Sequence, residues 1–212
     1  MMKVANNTAN SFDLLIDEMR VHAINSLNSK NTVRFSSFTP STDELNEFYT
    51  KTLNEGVLPD NMTKWQKGIV KELEEPQLSK CKDLAVDDEN EIKHTLNKFQ
   101  ENKSKDLYDE KIESLRRKSL DKAEKNINEF FDKVTLMVGV ADSEEESLFI
   151  LMAAAAVSNI VDSIHETIRE AVLLAINVVY NAIKAVLNKV KDVFLNVYKL
   201  ISDQLKIIGV NA

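Results

Sequence analysis

The chain is short of the residues that punctuate a fold and of those that react. Four glycines and three prolines in 212 residues are too few turn formers for a β sandwich, a barrel or a loop-rich fold. Glycines this scattered also cannot build a phosphate-cradling loop. A single cysteine, Cys81, permits neither an internal disulfide nor a cysteine zinc site. Basic residues are outnumbered 27 to 34, leaving a net charge of −7. That balance argues against nucleic acid as a partner, because phosphate binding calls for a net basic face. The first residues carry no apolar run of the secretory kind, and the most apolar stretch, 148–157, is half of what a bilayer crossing needs. The chain therefore reads as cytoplasmic, or exported without a cleavable signal, with no membrane span.

What the chain does have is a long periodic seam. Ile164, Ile168, Val172, Ala175, Val179, Ile183, Val186, Val190, Phe194, Val197, Ile201, Leu205 and Ile208 follow one another at steps of four, four and three. This is an eleven-residue period of about 3.67 residues per turn, which a helix gives and a strand does not. No Gly or Pro interrupts it before Gly209, and Ser143 with Glu146 makes a capping box ahead of it. The pattern predicts one helix over 143–208. Unbroken, it would reach ~100 Å, so the helix bends or the protein is elongated. Ser158-Asn159 and the stretch from Asn177 to Asn181 are the places for a bend.

A second long helix is expected over 88–138. Its face runs through Ile92, Leu96, Phe99, Leu107, Tyr108, Ile112, Leu115 and Leu120 to an apolar end at Phe130, Phe131 and Val134, and Gly139 and Asp142 mark the turn. Together the two make an antiparallel helical hairpin. Three short helices precede it. One is capped by Ser11 and carries Phe12, Leu15, Ile16, Met19 and Ile24. The next starts with a Ser41/Glu44 capping box, carries Leu45, Phe48, Tyr49 and Leu53, and closes at Gly56. The third opens at Pro59-Asp60, carries Met62, Trp65, Ile69, Val70 and Leu73, and stops at Pro76. Residues 1–10 read as a frayed end, 26–40 as a loop pinned by Phe35 and Phe38, and 77–90 as a polar connection. The expected architecture is all-α, a helical bundle built on the hairpin 88–138 and 143–208, with an N-terminal short-helix region over 1–80 and a hairpin domain over 81–212.

No arrangement of reactive residues survives scrutiny as chemistry. Glu91/His94 and Asp162/His165 each set a carboxylate and a histidine one turn apart, as di-iron bundles do. About a turn at Ala141, however, the two pairs are mismatched by 23 residues, roughly 35 Å along the axis. His165-Glu166 opens like a zincin motif, but Arg169 occupies the place of the second histidine. Cys81 has no histidine near it in sequence, and Arg116-Arg117-Lys118 is surrounded by Glu113, Asp121 and Glu124 on one solvated helix face. No enzyme activity, metal or cofactor is expected.

The feature in excess is apolar surface over 147–187. From Ala171 to Tyr180 only Asn177 is polar, so the helix there is expected to be buried on several sides. A coiled-coil-like seam of branched residues suits helix-on-helix packing. The first expectation for function is protein–protein association or oligomerisation through the face of Ile164, Ile168, Val172, Val179, Ile183, Val186, Val190, Phe194, Val197 and Ile201. The alternative is membrane association, with Lys184, Lys189, Lys191, Lys199 and Lys206 meeting an anionic surface. The eleven-residue period is similar to that of the lipid-surface helices of apolipoproteins and lipid-droplet coat proteins, which use smaller residues. A buried apolar hairpin within a bundle resembles α-helical pore-forming toxins in general plan. No motif here belongs to either family.

Overall fold

A computed structural model shows an all-α helical bundle. It describes residues 2–28, 34–50, 57–102, 104–177 and 182–207, with side chains from residue 11 onward except those of residues 44, 45, 48 and 207. Among the described residues lie six α-helices, one 3-10 turn and no strand. They are α1 (Met2–Asn28), the 3-10 turn (Phe35–Ser37), α2 (Asp43–Phe48), α3 (Lys64–Asn102), α4 (Lys105–Gly139), α5 (Glu144–Ile176) and α6 (Ile183–Ile207). The chain forms two compact units. The first comprises Met1–Gln77 and Lys125–Asp162, the second Leu78–Glu124 and Ser163–Ala212. Each is assembled from two stretches of chain.

Several boundaries differ from those the sequence predicts. α1 begins at Met2 and not at Ser11, since residues 2–10 contain no Gly or Pro to stop a helix propagating outward. The side chain of Glu44, expected to complete a capping box with Ser41, lies outside the described residues; the Ser41 amide donates to the Glu18 carboxylate at 2.8 Å, and its hydroxyl does the same. Leu53 and Gly56, expected in the second helix, lie outside the described residues. The largest change is α3, which fuses the third short helix, the expected connection 77–90 and the start of the expected long helix. A true capping box starts it, with the Gln66 amide on Thr63 Oγ1 at 3.2 Å and the Thr63 amide on Gln66 Oε1 at 2.8 Å.

Pro76 sits inside α3 without ending it, and the packing explains why. Proline lacks the amide that would bond the carbonyl four residues back, which is that of Glu72. Lys133, from α4, donates its ammonium to that carbonyl at 2.8 Å and pairs with the Glu72 carboxylate at 3.3 Å. A side chain thus replaces the lost backbone donor.

In the first unit Phe12, Leu15, Ile16 and Met19 form the buried stripe of α1, and every residue of α5 from Ala153 to Ser158 is buried. The run of four alanines lets neighbouring helices close in on all sides of α5. Phe35 and Phe38 do pin the segment after α1. Their rings stack at 5.9 Å, His22 meets both edge-on, and Tyr49 packs against Phe38 at 5.1 Å. Asp162 ties this clasp to α5, accepting from the Ser26 hydroxyl at 2.5 Å and the Phe35 amide at 2.9 Å. The turn after α4 behaves as its residues predict: the Glu146 amide donates to Ser143 Oγ at 3.2 Å and its carboxylate accepts from the Asp142 amide at 3.0 Å.

In the second unit α3 buries Leu78, Cys81, Ala85, Asp88, Ile92, Thr95 and Phe99, alternating steps of three and four that make a coiled-coil seam. α4 faces it with Tyr108, Ile112 and Leu115. The expected helix 88–138 is divided at Ser104, whose carbonyl accepts from the Tyr108 amide at 3.2 Å as α4 begins. The expected helix 143–208 is likewise two. Cys81 on α3 touches His165 on α5, and eight residues further along α3 Glu89 bonds Tyr198 on α6. Those contacts are ~12 Å apart along α3, whereas residues 165 and 198 on one straight helix would be ~50 Å apart. The chain must double back between α5 and α6.

Replacing Lys133 with Ala should cost about 0.5–1.5 kcal/mol in chemical denaturation. In a Pro76→Ala background, where residue 76 regains its amide, the same substitution should cost distinctly less, so the double-mutant cycle should not be additive.

Candidate functional site

The second unit holds a buried cysteine–histidine pair, a polar groove beside a buried acid, and the exposed outer face of α6. The first is a pairing that residue spacing could not reveal, since the partners are 84 positions apart. Cys81 Sγ lies 3.8 Å from His165 Nε2, which corrects the expectation that Cys81 has no histidine near it. Both side chains are buried, Cys81 to 1% exposure. Burial pushes the thiol up to about 12, with Lys80 opposing only in part. A nucleophilic cysteine needs a depressed value and access to substrate. This pair has neither, and it is core packing.

The groove has a volume of about 430 Å³ and is lined by α3 and α4. At its wall Asp88, 2% exposed, accepts from the Ser119 hydroxyl at 2.5 Å. Beside it the exposed Asp87 pairs with Lys122 at 2.8 Å. Desolvation raises Asp88 from 3.8 to about 6, opposed by the Ser119 bond and by Lys122. A buried acid shifted toward neutrality in a cleft is a recognised marker of function. Here Asp87, Asp88 and Glu91 face Lys111, Lys118 and Lys122 in near balance, and the lining includes no histidine or cysteine. Ser119 donates to Asp88, a buried carboxylate closed into the seam, and the lining offers no histidine to relay its proton. The arrangement describes a polar pair in a helix–helix seam. The run Asp87-Asp88-Glu89 reads as a solvated connection, yet Asp88 alone of the three occupies a core slot. The three–four spacing over 78–99 carried that signal. Glu74, 3% exposed and also on α3, is a second such acid, raised by desolvation from 4.5 to about 7.

The two carboxylate–histidine pairs of the sequence have separate surroundings. Glu91 and His94 are exposed, Asp162 is engaged by Ser26 and Phe35, and His165 touches Cys81. Among the described residues no group of three or more His, Cys, Asp or Glu side chains is placed to hold an ion.

The seam residues are mostly interior to the chain. Ile164, Ile168, Val172, Val190, Phe194, Val197 and Ile201 are buried, Ile183 and Val186 half-buried, and Val179 lies outside the described residues. Of the stretch 171–180 expected to be buried on several sides, 178–180 lie outside the described residues and Leu173 and Ile176 are exposed, whereas every residue over 153–158 is buried. α5 is the one helix among the described residues long and apolar enough to cross a bilayer by length and composition, and two-thirds of that window is buried by the rest of the chain. Lys184, Lys189, Lys191, Lys199 and Lys206 are all exposed. Four of them fall on one line along α6: Lys184, Asn188, Lys191, Leu195, Lys199, Ser202 and Lys206 follow at helical steps of three and four. This row extends ~33 Å and contains no acid; Asp192 and Asp203 lie beside it, Asp203 at 3.6 Å from Lys206.

No protein family, curated protein or solved structure matches this chain.

The buried acid has a pH signature. Between the ordinary value of 3.8 and about 6 the folded chain holds a proton on Asp88 that the unfolded chain has released. Stability should therefore fall as pH rises through that window. Asp88→Asn, which keeps a partner for Ser119, should stabilise by about 1–3 kcal/mol at pH 7.5 and little at pH 4 in denaturant titrations.

Proposed function

We propose that the protein is a non-enzymatic helical interaction protein that meets anionic membrane through the lysine row of α6. The observation that carries this reading is the row itself: four exposed lysines and Leu195 on one line, about 130° around the helix from the face that α6 buries. Each lysine near an anionic surface contributes ~1 kcal/mol. Four give ~4 kcal/mol, a roughly millimolar contact that is reversible and weakened by salt. The remaining acidic surface is repelled by the same lipids, which favours an orientation with α6 toward them. Association through the apolar seam, the other reading, has to draw on a face already occupied inside the second unit.

Vesicle flotation of the full chain tests the proposal. Binding is expected with anionic vesicles, weakened by salt, and absent with neutral ones. Lys184→Gln with Lys199→Gln should lower partitioning roughly 30-fold while helix content is kept. Equal flotation on neutral and anionic lipid, no flotation at low salt, or indifference to the substitutions would each refute it.

A further inference from the structure

We infer that copies of this chain associate head to tail, the tip of the α4–α5 turn of one copy docking on the lysine row of α6 of the next. The contact shares that row with anionic lipid and does not depend on lipid binding.

The tip is apolar and acidic at once. Val140 and Leu136, 79% and 71% exposed, are the most exposed large apolar side chains among the described residues. Leu136 lies in the last turn of α4 and Val140 directly follows that helix. Asp142, Glu144 and Glu145 come next, all exposed; Val140 and Glu144 are within about 15 Å of each other by chain length alone. From Val134 to Ile168 the chain contains no lysine or arginine, so the turn offers no basic side chain of its own to its acids. Acid in the first turn of α5 suits the helix dipole. That accounts for Glu144 and Glu145 but not for two bulky apolar side chains left in water beside them.

The lysine row has the same build and the opposite charge. Leu195, 52% exposed, stands between Lys191 and Lys199 on a line without an acid. Each surface is thus an exposed apolar centre flanked by charge of a single sign, and the two signs are complementary. Docking one on the other removes Leu136, Val140 and Leu195 from water and brings Lys184, Lys191 and Lys199 toward Asp142, Glu144 and Glu145. Anionic lipid repels the acidic tip, which makes a second copy, and not a bilayer, its occupant. Because the two surfaces differ, the contact is heterologous: every pair leaves one tip and one row free to take a further copy. Anionic lipid on the row competes with the next copy for the same lysines.

Light scattering and sedimentation of the full chain test this at low salt and rising concentration, up to about 1 mM because so small a contact is weak. The average mass should climb above the 24.0 kDa of one chain without levelling at the dimer, and should fall back in high salt. Glu144→Lys with Glu145→Lys reverses the tip, and Lys184→Glu with Lys199→Glu reverses the row. Each pair should lower the association constant about tenfold or more, with circular dichroism unchanged. Mixing the two variants should restore association, since the reversed tip meets the reversed row and the natural tip the natural row. Leu136→Ser, which leaves every charge in place, should weaken association several-fold. The tip variant should still float with anionic vesicles, so failure of this contact is told apart from failure of the membrane reading. A chain that stays monomeric at low salt, an association indifferent to either charge reversal, or variants that remain apart when mixed would overturn the inference.

Discussion

A carbonyl freed when a helix is interrupted must find another donor, and in this protein α4 provides it twice. Lys133 serves the Glu72 carbonyl that Pro76 leaves without an amide, and Tyr108 serves the Ala175 carbonyl where α5 ends. Both interruptions are uncomfortable as local sequence, a proline inside a helix and a helix end without glycine. Each is made tolerable by a side chain contributed from elsewhere in its own unit. α4 is therefore more than a packing partner, because its donors determine where its neighbours continue and where they stop.

The same helix answers the charge on α3. Asp88 and Thr95 occupy slots in a heptad seam whose other positions are apolar or small, and Ser119 provides the bond that makes an acid tolerable there. A polar residue in such a seam lowers stability and discriminates between registers, since sliding α3 by one turn would strand the carboxylate against apolar side chains. Glu89, just outside the seam, is held below its ordinary range. Burial works against this, and its bonds with Lys93 and Tyr198 prevail. Two adjacent acids thus shift in opposite directions because one lies in the seam and the other at its rim.

The fold class was legible because it depends on quantities that survive averaging: scarce Gly and Pro, and apolar steps of three and four. The turn before α5 was legible too, because Gly139, Ser143 and Glu146 act locally. What could not be read depends on partners far away in sequence. Pro76 predicts a stop until Lys133 is beside it, and nothing at 104 announces a helix end, whereas the stretch from Asn177 to Asn181 reads as a place for a bend and α5 ends at Ile176, just before it. The seam was correctly located but its partner was not, since a periodic face says that it is buried and not against what. The exposed lysines of α6 followed from the same wheel, whereas the contact between Cys81 and His165 had no local trace.

The account rests most heavily on α6 folding back, since that turns the seam into core and leaves the lysine row outward. Spin labels at the exposed positions Ser163 and Lys199, measured by pulsed electron resonance in dilute monomer, examine this directly. A doubled-back chain places them within about 25 Å, one short step along α3 plus a helix width, whereas a continuous helix separates them by ~54 Å. A distribution centred below about 25 Å is the predicted result. One centred near 54 Å would contradict the fold-back and, with it, the placing of the seam inside the unit.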